Sequence, residues 1–61
     1  MASSGGIRPS ARARAHSNRA GLYLLLGRPR DALADLTEAA ALDPDRAEYR
    51  INLERLQRET R

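Results

Sequence analysis

Apolar residues recur in the middle of the chain with the spacing of an α-helix. Over residues 30–42 they stand at positions i, i+1, i+4, i+7 and i+8, namely Ala32, Leu33, Leu36, Ala39 and Ala40. This is the stripe by which an amphipathic helix faces a core. An alanine- and leucine-rich segment, residues 11–26, precedes this stripe, and a more charged segment, residues 45–60, follows it. The pattern therefore predicts three helices over these three ranges.

The two outer segments have less regular apolar stripes. In the first segment, the apolar positions at spacings of three, four and seven are Ala15, Ala20, Tyr23, Leu24 and Leu26. In the third segment they are Ala47, Ile51, and Leu53 or Leu56, with charged residues on the other face. These side chains are the predicted core faces of the outer helices.

Residues that end or begin helices separate the three segments. Gly27 follows the last apolar residue of the first segment, and Pro29 suits the first position of the next helix. Pro44 breaks the second helix, and Asp45 with Glu48 forms the spacing of a capping box for the third. Gly21 lies inside the first helix, where it costs about 1 kcal/mol against alanine and favours close approach of a neighbouring backbone.

The resulting architecture is all-α. Connections of three to four residues favour antiparallel neighbours, so we expect a helix–turn–helix hairpin followed by a C-terminal capping helix over residues 11–61. Residues 1–10 contain serine, glycine and proline with little apolar surface, and we expect a disordered tail there.

The small and apolar residues of this hairpin resemble a tetratricopeptide repeat, a helix–turn–helix of roughly 34 residues. The matching positions are Ala20, Tyr23, Gly27, Ala32, Leu36, Ala39 and the ending Leu42-Asp43-Pro44. Asn18 and Asn52, 34 residues apart, indicate the start of a second repeat, so residues 13–61 resemble about one and a half repeats. His16 and Arg19 depart from the family pattern, which has a bulky aromatic residue and a leucine there. An unrelated hairpin with an alanine-rich interface is the alternative.

The resemblance implies a non-enzymatic module that binds a protein or peptide in the groove lined by the first helix of each repeat. The groove residues it implies are Ser17, Asn18, Gly21, Leu24, Leu25, Ile51, Asn52 and Arg55. Because about three repeats are needed for independent stability, one and a half repeats also leave open faces. Self-association into a homo-oligomer through these faces is therefore a second expected mode of binding.

The charges are unevenly distributed. Residues 1–30 contain six arginines and no acid, whereas residues 31–61 contain five arginines and eight acids. The basic half supports an alternative function, an arm that binds nucleic acid or another polyanion. Specific nucleic-acid binding is disfavoured because the basic half has one aromatic residue on which a base could stack.

The sequence lacks a set of residues typical of catalysis. His16 is the one histidine, there is no cysteine, and we expect no enzyme activity, no cofactor and no metal. Asp31, Asp35 and Glu38 lie on one helix, but carboxylates of this kind usually form a solvated face. No apolar run approaches the length of a membrane span, so we expect no membrane association and a cytoplasmic location. Organelle targeting by the arginine- and serine-containing first thirty residues is the alternative.

Overall fold

The chain forms three helices joined by two short turns. In the computed structural model, which describes residues 8–60, α1 spans Pro9–Leu25, α2 spans Pro29–Leu42 and α3 spans Ala47–Glu59. α2 packs against both α1 and α3. The predicted all-α architecture of a hairpin and a third helix is confirmed.

The contacts between the helices fix their directions. Ala13 of α1 clusters with Ala39 of α2, and Ala20 of α1 clusters with Ala32 of α2. Since the two residue orders run in opposite directions, α1 and α2 are antiparallel. Alanines at both ends of this interface let the two backbones approach closely.

Proline sets the start of the first two helices. Pro9 and Pro29 stand at the first helical position, where the missing N–H is not needed and the fixed φ suits the helix. The preceding Arg8 has extended backbone angles, as expected before proline. α1 therefore begins two residues before the predicted start, so that Pro9 and Ser10 belong to a helix. The other residues of the predicted tail, except Arg8, lie outside the described residues.

α1 ends in a Schellman motif. The N–H of Gly27 donates to the carbonyl of Leu24, and the N–H of Arg28 donates to the carbonyl of Tyr23, at 3.1 and 2.8 Å. Gly27 adopts φ +72°, which side-chain-bearing residues rarely adopt. The guanidinium of Arg28 lies over the Tyr23 ring, 5.6 Å from its centroid, where this motif commonly has an apolar contact.

The two glycines of the hairpin should respond in opposite ways to alanine. Gly27→Ala should lower the free energy of unfolding by about 1 kcal/mol, because alanine is strained at positive φ. Gly21→Ala should raise it by about 0.5–1 kcal/mol, because Gly21 lies within a helix and an added Cβ would have no neighbour within 4 Å. The same open space contradicts the expected close backbone approach at Gly21. Urea denaturation of both variants checks the prediction, and equal signs would contradict it.

Two apolar clusters hold the helices together. The first contains the buried residues Ala20, Ala32, Leu36 and Leu56, with Tyr23, Leu33 and Leu53 partly buried against it. The second contains Ala13, Ala39 and Tyr49, with Ala40 and Leu42 against it. The predicted stripe of α2 is confirmed, since its five members are buried or partly buried.

The predicted core faces of the outer helices are partly wrong. In α1, Ala13 takes the buried position, whereas Ala15, Leu24 and Leu26 are exposed. In α3, the stripe runs through Tyr49, Leu53 and Leu56, and Ala47 and Ile51 are exposed. The face of α3 that contains Tyr49 packs against the rest of the fold, because the large ring of Tyr49 buries much more apolar surface than Ala47 does.

The predicted capping box at the start of α3 is also wrong. The N-cap residue is Arg46, and no side chain caps the helix by a hydrogen bond. Asp43, Pro44, Asp45 and Arg46 instead form a turn in which the N–H of Arg46 donates to the carbonyl of Asp43. This turn places Asp45 before the N-cap, because Pro44 suits the second position of such a turn.

Candidate functional site

A groove lies between α1 and α3, with α2 contributing to its floor. Its volume is about 280 Å³. The floor is apolar, with Ala20, Leu36 and Leu56 from the first core cluster. The other lining residues are Ser17, Gly21 and Leu24 of α1, and Asn52, Arg55 and Glu59 of α3. The groove thus combines an apolar floor with amide, guanidinium and carboxylate groups.

The structure brings five of the eight groove residues implied by the resemblance to this groove. Ser17, Gly21, Leu24, Asn52 and Arg55 line it. These residues recur at spacings of three and four along their helices, so they share one face of α1 or of α3. Gly21 has no side chain, and its backbone therefore leaves the groove open beside Ala20.

The other three implied residues lie outside the lining of the groove. Asn18, Leu25 and Ile51 are each one residue away from a lining residue, which turns the side chain by about 100° around the helix. All three are exposed, and Leu25 is 84% exposed. Their role in binding stays a prediction.

The floor of the groove and Glu59 were missed by the sequence reasoning. Leu36 and Leu56 were assigned to the core alone, yet both also form the bottom of the groove. The sequence does indicate a role for these leucines in the groove. Core residues that lie beneath a groove between two helices have one side facing that groove. Glu59 stands four residues after Arg55, on the same side of α3.

A buried carboxylate lies at the interface between α1 and α2. Asp35 of α2 is 4% exposed. The Nε and Nη2 atoms of Arg19 donate to its two oxygens, at 2.7 and 2.8 Å. His16 Nδ1 lies 3.1 Å from Asp35 Oδ1, so it donates to that oxygen when it carries a proton. Asp35 is thus held by the two α1 residues that depart from the family pattern.

The sequence interpretation of these residues is corrected by the structure. Asp35 was expected on a solvated face, but it stands on the core stripe of α2 between Ala32 and Ala39. Its spacing of three and four residues from these alanines was the signal for burial. Asp31 pairs instead with Arg28, at 2.8 Å, so these two carboxylates of α2 do not share a cation site.

Arg19 changes the acidity of Asp35. The hydrogen bond from Arg19 is the main cause that lowers the pKa of the Asp35 carboxyl, and it outweighs burial, which acts in the opposite direction. The hydrogen bond from His16 lowers it further. The same pairing raises the pKa of Arg19. Asp35 is therefore ionised in the folded chain at neutral pH.

This lowered pKa predicts a loss of stability in acid. A carboxyl whose pKa is lower in the folded than in the unfolded chain stabilises the fold above its unfolded pKa, near 3.9, and this contribution disappears as the pH falls through the folded pKa. Asp35→Asn should remove this contribution, so its melting temperature should change less than that of the wild type from about pH 5 to pH 2. Thermal melts across this range check the prediction, which identical pH profiles would contradict.

Several arginines of the basic half have partners within the chain. Arg19 and Arg28 pair with Asp35 and Asp31, and both guanidinium groups lie within 6 Å of the Tyr23 ring centroid. Arg8 and Arg14 line a second cleft of about 220 Å³ together with Ser10, Ala11, Arg46 and Tyr49. Arg46 also lies 3.6 Å from Asp43 and 3.8 Å from Glu48. The described arginines are therefore distributed around the molecule and partly neutralised.

The part of the chain that the structure describes contains neither a cluster of metal-ligating side chains nor a helix that could span a membrane. Over residues 8–60, no three histidine or acidic side chains group closely enough to hold a metal ion. In the same part of the chain, no helix is long and apolar enough to cross a membrane.

The arrangement of the three helices is that of a helical-repeat protein. Two antiparallel helices cross at small residues, and a third helix extends the stack and leaves a groove. A family model for the tetratricopeptide repeat matches residues 13–46, more than half of the chain. The chain belongs to the tetratricopeptide repeat family. Neither curated proteins nor solved structures gave a match. Members of this family generally mediate protein–protein interaction and are generally non-enzymatic.

Proposed function

We propose that this chain is a non-enzymatic module that binds a segment of a partner protein in the groove between α1 and α3. The observation that carries the proposal is the apolar floor of Ala20, Leu36 and Leu56 with polar groups at its sides. Its volume, about 280 Å³, is at the lower end of the size of small-molecule sites. The groove is therefore suited to one or two apolar side chains of a bound peptide.

The polar groups define the expected form of the peptide. Asn52 has an amide that both donates and accepts, so it can bind the peptide backbone. Arg55 and Glu59 give opposite charges on α3 to orient a charged neighbour of the apolar side chain. We expect peptides with a leucine-like residue flanked by polar residues. A second copy of the chain is another partner, through the exposed leucines of α1.

Selection of random peptides displayed on phage tests this function. We expect enriched peptides to share one large apolar residue. Gly21→Leu, which places a side chain in the groove from an exposed helix position, should weaken their binding at least about tenfold, equivalent to about 1.4 kcal/mol. Leu26→Gln changes an exposed apolar residue that is neither in the groove lining nor among the implied groove residues, and should bind normally. Equal binding by both variants would contradict the proposal.

Oligonucleotides test the alternative function, in which the basic half of the chain binds nucleic acid or another polyanion. Single-stranded and duplex oligonucleotides should bind weakly, because several arginines are paired with carboxylates. Micromolar binding at about 50 mM salt that falls steeply with added salt would favour the polyanion alternative.

A cytoplasmic location stays a prediction from the sequence.

A further inference from the structure

An apolar strip runs along the exposed side of α1, opposite the face that contacts α2, and its first member, Ala11, also lines the second cleft. We name it the outer seam; its members are Ala11, Ala15, Asn18, Leu22 and Leu25. All five are exposed, Leu22 by 60% and Leu25 by 84%. They lie about half a turn around the helix from Ala13 and Ala20, which contact α2. The seam is therefore distinct from both the core face and the groove.

The spacing of the outer seam is that of a coiled-coil interface. Its members are separated by four, three, four and three residues, the alternation that keeps a stripe facing a second helix over two heptads. A central asparagine is the residue type that fixes register in such interfaces. The seam thus has the pattern of a helix that pairs with another helix.

We propose that the outer seam pairs with the outer seam of a second copy, with the two α1 helices antiparallel and crossing at Asn18. In this arrangement Ala11 faces Leu25 of the second copy, and Ala15 faces its Leu22. Each leucine therefore meets an alanine, so small and large side chains interlock along the seam. The two Asn18 amides meet at the two-fold axis, where each can donate to the other. The proposal rests on the proposed interaction function and names the partner of the exposed leucines.

The charges of α1 favour the antiparallel direction. Arg8 is its N-cap residue, Arg12 and Arg14 lie in its first half, and α1 has no acid. A parallel pair would place these arginines beside their own copies, whereas an antiparallel pair separates them. It also brings the arginines to the C-terminal end of the other α1, whose last turn contains no basic residue. Cations at a helix C-terminus are favourable.

The opposite end of the molecule does not offer an apolar face to the seam. The α3 residues equivalent to His16, Ala20 and Tyr23 after one repeat are Arg50, Glu54 and Gln57, all exposed. A copy stacked head to tail would bury these charged and polar groups. An interface that uses the same surface on both copies closes at a dimer, so this seam favours a two-fold dimer over a filament. One helix pair buries less than the ~800 Å² per partner of a standard interface, so the dimer should be weak.

Cysteine cross-linking tests the arrangement, since the chain has no cysteine of its own. Under mild oxidation, a mixture of Ala11→Cys and Leu25→Cys chains should give mainly the mixed disulfide, because their Cα atoms approach within about 7 Å only in the antiparallel pair. Ile51→Cys, exposed on α3, is the control and should cross-link much less. Predominant self-linking of Ala11→Cys, or equal linking of Ile51→Cys, would overturn the proposal.

Sedimentation equilibrium of the full chain up to about 1 mM measures the association itself. We expect a monomer–dimer equilibrium, weakened at least about tenfold in Leu22→Gln/Leu25→Gln and unchanged in Ile51→Gln, with circular dichroism confirming that the helices are retained. A monomer at all concentrations or an open-ended series of oligomers would overturn the proposal. A complex that forms only when a different protein is added, and that needs Leu22 and Leu25, would overturn it too. The single variant Leu22→Gln, which keeps Leu25, should dimerise more weakly and still bind the selected peptides, and Gly21→Leu should still dimerise, so failure of the dimer is distinguishable from failure of the groove.

Discussion

Leu36→Ala should leave most of the chain unfolded at 25 °C. Leu36 is 4% exposed and joins Ala20 and Ala32 of the hairpin to Leu56 of α3. Removing a buried leucine side chain beyond Cβ costs about 2–5 kcal/mol, and the neighbouring alanines are too small to fill the space. A natural domain of 61 residues has a total stability of roughly 3–9 kcal/mol. We expect this chain at the lower end of that range, because about three repeats are needed for independent stability, so the loss removes most or all of it.

Leu26→Ala is the matched control for this loss. Leu26 is 69% exposed at the end of α1, and its truncation removes the same atoms without opening a cavity. Circular dichroism at 222 nm during urea titration should show a folded baseline for the wild type and Leu26→Ala, and a much reduced or absent one for Leu36→Ala. A midpoint for Leu36→Ala near that of the wild type would show that Leu36 does not join α3 to the hairpin.

The parts of the fold that depend on local rules were predictable from the sequence. Gly27 and Pro29 mark the end of α1 and the start of α2, because positive φ and a fixed φ are properties of single residues. The stripe of α2 was also predictable, since this central helix is packed from two sides. The face of α3 was not, because Ala47 with Ile51 and Tyr49 with Leu56 offer two competing stripes. The choice depends on the area that each buries against α2.

The buried carboxylate shows where reasoning from residue type fails. Residue type alone assigns Asp35 to solvent because of its charge, and it marks His16 and Arg19 only as departures from the family pattern. Each interpretation follows when a residue is considered alone. The three residues pair with one another only because α1 and α2 are antiparallel. This arrangement brings Asp35 within hydrogen-bond distance of His16, 19 residues earlier in the chain, and of Arg19, 16 residues earlier. A charged residue on a predicted core stripe should prompt a search for its partner on the facing helix.

The groove was predicted on its two walls but not on its floor. The resemblance to the repeat family implies Ser17, Gly21 and Leu24 on one side and Asn52 and Arg55 on the other. The distance between these walls depends on how α3 packs on α2, and therefore on Leu36 and Leu56. Sequence spacing along one helix contains no information about that distance.

Arg19→Ala should destabilise the chain strongly, and a second substitution, Asp35→Ala, should restore much of the loss. Without Arg19, the Asp35 carboxylate stays buried and ionised with His16 as its remaining partner. A buried carboxylate that loses its charged partner is destabilising, although the 57% exposure of the Arg19 side chain lets water screen part of the pairing, whereas removing the whole charged pair is often close to neutral. The double variant should therefore be more stable than Arg19→Ala alone. Arg19→Lys should be intermediate, because an ammonium group cannot make the two-point contact of a guanidinium.

A double-mutant cycle at pH 7 tests this prediction. It uses the free energies of unfolding in urea of the wild type, Arg19→Ala, Asp35→Ala and the double variant. The four free energies should be far from additive, because the cost of losing Arg19 exists only while Asp35 is present. Acid gives an independent test of the same cause. Near pH 3, Asp35 of the Arg19→Ala variant no longer has its pKa held down and becomes protonated, so the difference from the wild type should shrink. Additive free energies, or a difference that stays constant from pH 7 to pH 3, would mean that Arg19 stabilises the hairpin through its packing on Tyr23 instead of through the carboxylate.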